Sequence, residues 1–164
     1  MNKELFIMRH AKSAWDQNVE DKQRPLKKRG VNAARRIGDG LKRLGWIPDK
    51  ILVSPAKRAL QTCELIDLDA PVEEDERIYA ASLDDLFAVL ADVPETINKV
   101  MLIGHNPALE DLLLHLTPNA ERQKNGKLLT TANVARIGVQ GKWHNLQQTK
   151  GQLLGLVRPK EMDD

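Results

Sequence analysis

The chain of 164 residues holds a single cysteine, Cys63. No internal disulfide can form, which suits a reducing compartment. Neither charge sign is in excess, since 25 Lys and Arg face 23 Asp and Glu for a formal net charge of +2. That balance argues against a general nucleic-acid binder. Long apolar runs are missing too. The N-terminal stretch Met1 to His10 contains only the short run Leu5 to Met8, far below a signal peptide or a membrane span. The expectation is therefore a cytoplasmic protein with no nucleic-acid and no membrane partner. No histidine pair has metal-ligand spacing and no Asp cluster resembles a magnesium site, so no metal and no cofactor is expected. Repeats, low-complexity tracts and linkers are also missing. The length fits a single domain over 1–164.

What is present is an alternation of short apolar runs with amphipathic stretches. Leu5 to Met8 reads as a buried strand ending at Arg9-His10. From Lys27 to Leu44, the residues Val31, Ala34, Ile37, Leu41 and Leu44 share one helical face, and Gly45 stops the helix. Ile51-Leu52-Val53 is the next strand. It runs into Ser54-Pro55, a cap-plus-proline helix start. The helix that follows turns Ala56, Ala59, Leu60, Cys63 and Ile66 inward, so Cys63 reads as a buried apolar residue. Pro71 to Tyr79 is extended. Ser82-Leu83-Asp84-Asp85 is a capping-box variant that opens a helix with Leu86, Phe87 and Leu90. Lys99 to Ile103 is a strand ending in Gly104-His105, and Asn106-Pro107 repeats the cap-plus-proline start ahead of Leu109, Leu112, Leu113 and Leu116. Asn133 to Val139 and Leu153 to Arg158 are late strands around a turn at Gly141. His115 among leucines reads as a partly buried structural residue, and His144 as a surface one. This pattern predicts an α/β three-layer sandwich, with helices on both faces of a largely parallel sheet.

In such folds ligands bind beyond the carboxyl ends of the strands. Three runs end in residues suited to phosphate: Arg9-His10, Ser54-Pro55 leading to Arg58, and Gly104-His105. Convergence of these ends would make one site. Arg9 and Arg58 carry planar forks that match two phosphate oxygens and stay charged. The helix after Ser54 would turn free N–H groups toward the same anion. His10, with an ordinary imidazole pKa of about 6.5, is neutral and nucleophilic at physiological pH. It could attack phosphorus without a metal and form a phosphohistidine that water cleaves.

Arg9-His10-Ala11-Lys12-Ser13-Ala14-Trp15-Asp16 resembles the opening motif of the histidine phosphatase superfamily, the phosphoglycerate mutase-like group. Ser54 to Thr62 resembles its second motif, and Gly104-His105-Asn106 its third. The short chain and Arg24-Pro25-Leu26 are most similar to the branch of small phosphohistidine phosphatases. The resemblance implies a phosphoglycerate mutase-like fold with His10 as nucleophile and Arg9 and Arg58 on the phosphoryl oxygens. It also implies that His105 donates a hydrogen bond to the transferring group and that Ser13 supplies a hydroxyl near the phosphate.

The chain departs from the family pattern in three places. Ala11 replaces the glycine usual after the nucleophile. Asp16 stands where mutases carry asparagine, and it is expected to point away from a phosphate or to pair with an arginine. The glutamate that serves many members as general acid has no clear counterpart. Glu73, Glu74, Asp75 and Glu76 lie in the right stretch, but the local match puts Ile78-Tyr79 there. A missing acid favours a phosphoramidate, whose imidazole leaves neutral once protonated, over an alkyl ester, which must expel an alkoxide. The expected partner is thus a phosphorylated protein or a small phosphorylated molecule. The leading expectation is hydrolysis of phosphohistidine or another P–N bond. A phosphatase for sugar or nucleotide phosphates and a non-catalytic phosphate-binding module are the alternatives.

Overall fold

The computed structural model describes residues 2–162, so residues 1, 163 and 164 of the expected 1–164 span lie outside the described residues. Six strands form one sheet: β1 (Lys3–Arg9), β2 (Lys50–Val53), β3 (Val72–Glu74), β4 (Lys99–Gly104), β5 (Val134–Val139) and β6 (Gly151–Val157). Their spatial order is β3-β2-β4-β1-β5-β6. β1 pairs parallel with β4, and β2 pairs parallel with both β4 and β3. β5 and β6 add antiparallel pairings on the other side of β1. The sheet is thus largely parallel with an antiparallel edge.

Four helices cover the two faces: α1 (Lys28–Leu44), α2 (Lys57–Ile66), α3 (Leu83–Ala91) and α4 (Ala108–Leu116). Successive strand residues point to opposite faces, and this splits the core into two layers. Phe6, Met8, Ile51, Val53, Met101 and Ile103 pack with residues of α1 and α2. Leu5, Ile7, Leu52, Val100 and Leu102 pack with residues of α3 and α4. A continuous apolar run is what a strand buried on both faces needs. Cys63 lies in the first layer, where burial pushes its thiol up to about 11.

The boundary signals hold where they are local. Gly45 takes φ 73°, and its N–H caps α1 on the carbonyls of Leu41 and Lys42. Both bonds of the Ser82/Asp85 capping box are present. The two serine- or asparagine-proline starts are corrected. α2 begins at Lys57 behind Ala56, and α4 begins at Ala108 behind Pro107. Neither Ser54 nor Asn106 is the cap: the Ser54 hydroxyl meets His105, and Asn106 lines the cleft. Between β5 and β6 the expected turn is longer, containing a 3₁₀ segment over Trp143–Gln148. Leu44, expected on the inward face of α1, is half exposed. His115 is partly buried, its Nε2 2.7 Å from the Gln147 carbonyl, and His144 is exposed. Among the described residues no helix is long and apolar enough to cross a membrane.

Candidate active site

β1, β2 and β4 run parallel, so their carboxyl ends open at one edge of the sheet. There a cleft of about 260 Å³ is lined by Arg9, His10, Ser13, Arg58 and His105, together with Lys12, Trp15, Arg24, Asn106 and Thr131. All five residues singled out in the sequence therefore face one space. The backbone holds the strand ends in register: His10 N–H donates to Gly104 O at 3.1 Å, and Ser54 N–H to Ile103 O at 3.1 Å.

The chain after His10 is fixed from three directions. Ala11 N–H donates to Thr62 Oγ1 at 3.0 Å, while the Thr62 hydroxyl donates to Arg58 O at 2.7 Å. Ala11 is fully buried, and this threonine ties the turn to α2. Lys12 O accepts from Lys27 N–H at 3.1 Å. α1 then passes so close that a Cβ on Gly30 would sit 2.0 Å from that same carbonyl oxygen. Only glycine fits that crossing.

His10 is buried, and its Nδ1 lies 2.7 Å from the carbonyl oxygen of Ala11. A carbonyl only accepts, so Nδ1 carries the proton and Nε2 keeps its lone pair. Burial lowers the His10 pKa to about 3, opposed by the Ala11 carbonyl and assisted by His105, Arg58 and Arg9. The ring is therefore neutral at pH 7. The His105 ring lies 5.1 Å away at 54°. Its Nε2 sits 2.8 Å from Ser54 Oγ, and Ser54 also accepts from Ala56 N–H at 3.2 Å. Burial and the charge of Arg58 lower the His105 pKa to about 4. Its Nδ1 is buried without a partner among the described residues.

Arg58 projects from the first turn of α2. Its two terminal nitrogens donate to Asp21 O at 2.7 Å and Asp21 Oδ2 at 3.1 Å. Asp21 also accepts from Arg24 at 2.9 Å and from the Tyr79 hydroxyl at 2.7 Å. These hydrogen bonds from Tyr79 and Arg24, with Arg58 beside them, hold the Asp21 carboxyl well below the usual carboxylate range. Arg24 also donates to Ser13 Oγ and lies over the Trp15 ring at 3.6 Å. Arg9 donates to Leu129 O at 3.3 Å, and the Asn106 amide donates to the same carbonyl at 2.9 Å. The three arginines in the cleft, Arg9, Arg24 and Arg58, each keep a buried Nε–H with no partner among the described residues. Such donors in a confined, basic space suit a tetrahedral oxyanion.

The acid candidates are placed elsewhere. Glu73 pairs with Lys50 at 3.4 Å, Glu76 with Lys22 at 2.8 Å and Asp75 with Arg77 at 2.7 Å. Glu74 and Asp16 are exposed. Among the described residues no carboxylate lines the cleft. Tyr79 instead meets the His105 ring edge-on at 5.9 Å. Arg58 pairs with Asp21, a residue that sequence reasoning missed along with Arg24, Ser54, Thr62 and Tyr79. Ser54 and Arg24 were visible within motifs, but as a cap and as part of a family resemblance.

Comparison with known proteins matches the family model "Histidine phosphatase superfamily (branch 1)" over residues 5–86. An uncharacterized protein of Mycobacterium tuberculosis is 30% identical over 158 residues, covering 93% of this chain and all of the relative. Phosphohistidine phosphatase SixA of Escherichia coli is 29% identical over 140 residues, covering 82% of this chain and 84% of that protein. A solved SixA structure from Nakamurella multipartitia superposes with a TM-score of 0.81 at 27% identity, covering 96% of each chain. The chain belongs to the histidine phosphatase superfamily. Within it the chain falls in the SixA-like branch, and it is a phosphatase that works through a histidine.

Proposed function

We propose that His10 is the nucleophile, that Arg9, Arg58 and His105 bind and stabilise the transferring phosphoryl group with Ser13 at its side, and that the substrate is phosphohistidine on a protein. The observation that carries this reading is the fixed tautomer of His10, with Nδ1 bound to Ala11 O at 2.7 Å. It supports a lone pair on Nε2 held ready among cations. In the first step Nε2 bonds to phosphorus as the substrate P–N bond breaks. The substrate imidazole, protonated on its other nitrogen, departs neutral. In the second step water attacks phosphorus, the P–N bond to His10 breaks, and inorganic phosphate leaves with the water-derived oxygen. Arginine N–H groups that follow the equatorial oxygens through both steps supply stabilisation where charge develops.

No carboxylate lines the cleft among the described residues, which supports the P–N substrate over an alkyl ester, whose alkoxide would need an acid in the cleft to protonate it. The name of the Escherichia coli relative supports the same substrate class. The single, buried Cys63 supports a reducing, cytoplasmic setting. The test compares phosphate release from a phosphohistidine peptide, from phosphoramidate and from a simple alkyl phosphate. The two P–N substrates should turn over and the alkyl ester should not. His10→Ala should reduce P–N turnover by about 10⁴-fold or more, while oxyanion binding persists. Hydrolysis retained in that variant would remove His10 from the nucleophile's role.

A further inference from the structure

The catalytic cleft does not end at its own wall. Lys12 and Thr131 line it and also line a second cavity of about 320 Å³, formed with Arg29, Arg158 and Lys160. Arg158 and Lys160 continue into a third cavity of about 520 Å³, with Arg122 and Lys124. A continuous groove therefore runs from the nucleophile between the 118–130 loop and the C-terminal 158–160 turn. Six cations line it, and no carboxylate does among the described residues.

The cations of this groove are clustered and have few acidic partners. Elsewhere Lys22 pairs with Glu76, Lys50 with Glu73, and Arg77 with Asp75 and Asp92. In the groove Arg158 meets only Glu161, at 3.9 Å. Arg122 donates to the carbonyl of Gly126, and no acid partners Lys12, Arg29, Lys124 or Lys160 among the described residues. A chain of net charge +2 has thus gathered uncompensated cations on one path. Clustering of this kind raises the local concentration of anionic partners.

A second observation lies in the groove wall. Asn133 is 1% exposed, and neither its Oδ1 nor its Nδ2 has a partner among the described residues. The Nε–H of Arg158 is buried and unpartnered as well. Buried amides without partners are rare. This one can donate and accept, as a peptide group requires, and its backbone carbonyl accepts from Arg9 N–H at 3.2 Å. It therefore stands one strand residue away from the nucleophile.

We propose that this groove binds an acidic polypeptide segment flanking the phosphohistidine of a protein substrate, and so selects protein over small-molecule substrates. The inference rests on the phosphohistidine reading above and adds the chemistry of the flanking chain. Steering by a row of like charges acts on encounter and affinity rather than on bond breaking.

The test uses phosphohistidine peptides that differ only in flanking residues, aspartate-rich or lysine-rich, with phosphoramidate as the small probe. The native protein should prefer the aspartate-flanked peptide by roughly tenfold or more in kcat/KM at low salt, with the preference shrinking as salt rises. The double variant Lys124→Glu, Lys160→Glu changes two exposed residues outside the catalytic set. It should abolish or reverse that preference through KM, while phosphoramidate turnover stays within about twofold. Equal use of both peptides by the native protein would overturn the groove's role, as would an unchanged preference in the variant. Tight competition by single-stranded RNA, lost in the same variant, would reassign the groove to nucleic acid and overturn it too. Failure of the native protein on phosphoramidate and on both peptides would instead strike the catalytic reading.

Discussion

The floor of the cleft and its rim are held by different forces. Floor residues stand at strand ends or one turn beyond, and backbone carbonyls or buried hydroxyls orient them: His10 on Ala11 O, Arg9 on Leu129 O, His105 on Ser54 Oγ. Rim residues come from loops and short 3₁₀ turns and are held by one another's side chains. Asp21 joins Arg24, Arg58 and Tyr79, and Arg24 lies on Trp15. Bonds to these fully buried groups have fixed geometry and little freedom to relax. Pairs that join buried guanidiniums to the half-exposed Asp21 carboxylate are more open to water and are screened by salt. Changes in the floor should therefore cost chemistry, and changes in the rim should cost positioning and stability. Arg58 belongs to both, since it faces the cleft yet is aimed by Asp21.

The largest expected effect tests the floor. Arg58→Gln keeps a polar side chain, though a shorter one, and removes the charged fork. It should lower kcat by about 10²–10³-fold, the cost of losing one preorganised donor to a developing oxyanion. Steady-state kinetics on phosphoramidate reads this directly. A change confined to KM would mean that Arg58 binds ground state and transition state alike, which places it with the rim.

Acid should unsettle the floor next. Unfolded histidines protonate near pH 6.5, whereas burial holds His10 at about 3 and His105 at about 4 in the folded chain. Between these values the unfolded chain binds more protons. Stability from this source is present above pH 6.5 and is lost as pH falls toward 4. Each histidine should cost roughly 1–2 kcal/mol of stability between pH 7 and pH 5. Urea midpoints measured across that window check the slope. His10→Ala should flatten it, and a parallel slope in the variant would place the acid sensitivity elsewhere.

A smaller effect is expected where the rim braces the floor. Asp21→Asn leaves two buried guanidinium groups beside an amide instead of a carboxylate. Stability should fall by about 1–2 kcal/mol. Inorganic phosphate should restore more of it than it adds to the native protein, because an anion in the cleft replaces the lost charge. Thermal melts with and without phosphate measure this. An unchanged deficit at saturating phosphate would separate Asp21 from the cleft's electrostatics.

The same division explains what could be read from the chain. β1, β2 and β4 were legible because both faces of each strand are buried, so their apolar runs end where polar function begins. Gly45 and the Ser82/Asp85 box were legible because they act within four residues. Ser54 was misread. A serine before proline suits a helix cap, but its hydroxyl accepts from Ala56 N–H in an extended turn and meets His105, 51 positions away. Asp21 offered no local signal at all. Its link to Arg58 spans 37 residues and its link to Tyr79 spans 58, and Asp21 itself follows no strand run. Short-range patterns record hydrogen bonds to nearby backbone, whereas pairs between distant loops leave no periodic trace.

Trp15 gives the finest test of the comparison. It is 77% exposed, yet its ring covers Arg24 at 3.6 Å on the cleft's lip. A cation–π contact this exposed is worth about 0.5–1 kcal/mol. Trp15→Ala should therefore leave the melting temperature nearly unchanged and raise KM about two- to fivefold, with kcat intact, because Arg24 keeps Asp21 and Ser13 as partners. Phosphoramidate and a phosphohistidine peptide should be assayed side by side. A rise in KM on both substrates would locate the effect in Arg24 and the phosphoryl site. A rise on the peptide alone would make the indole a platform for the polypeptide, and a fall in kcat would carry the floor's chemistry out to the lip and dissolve the division.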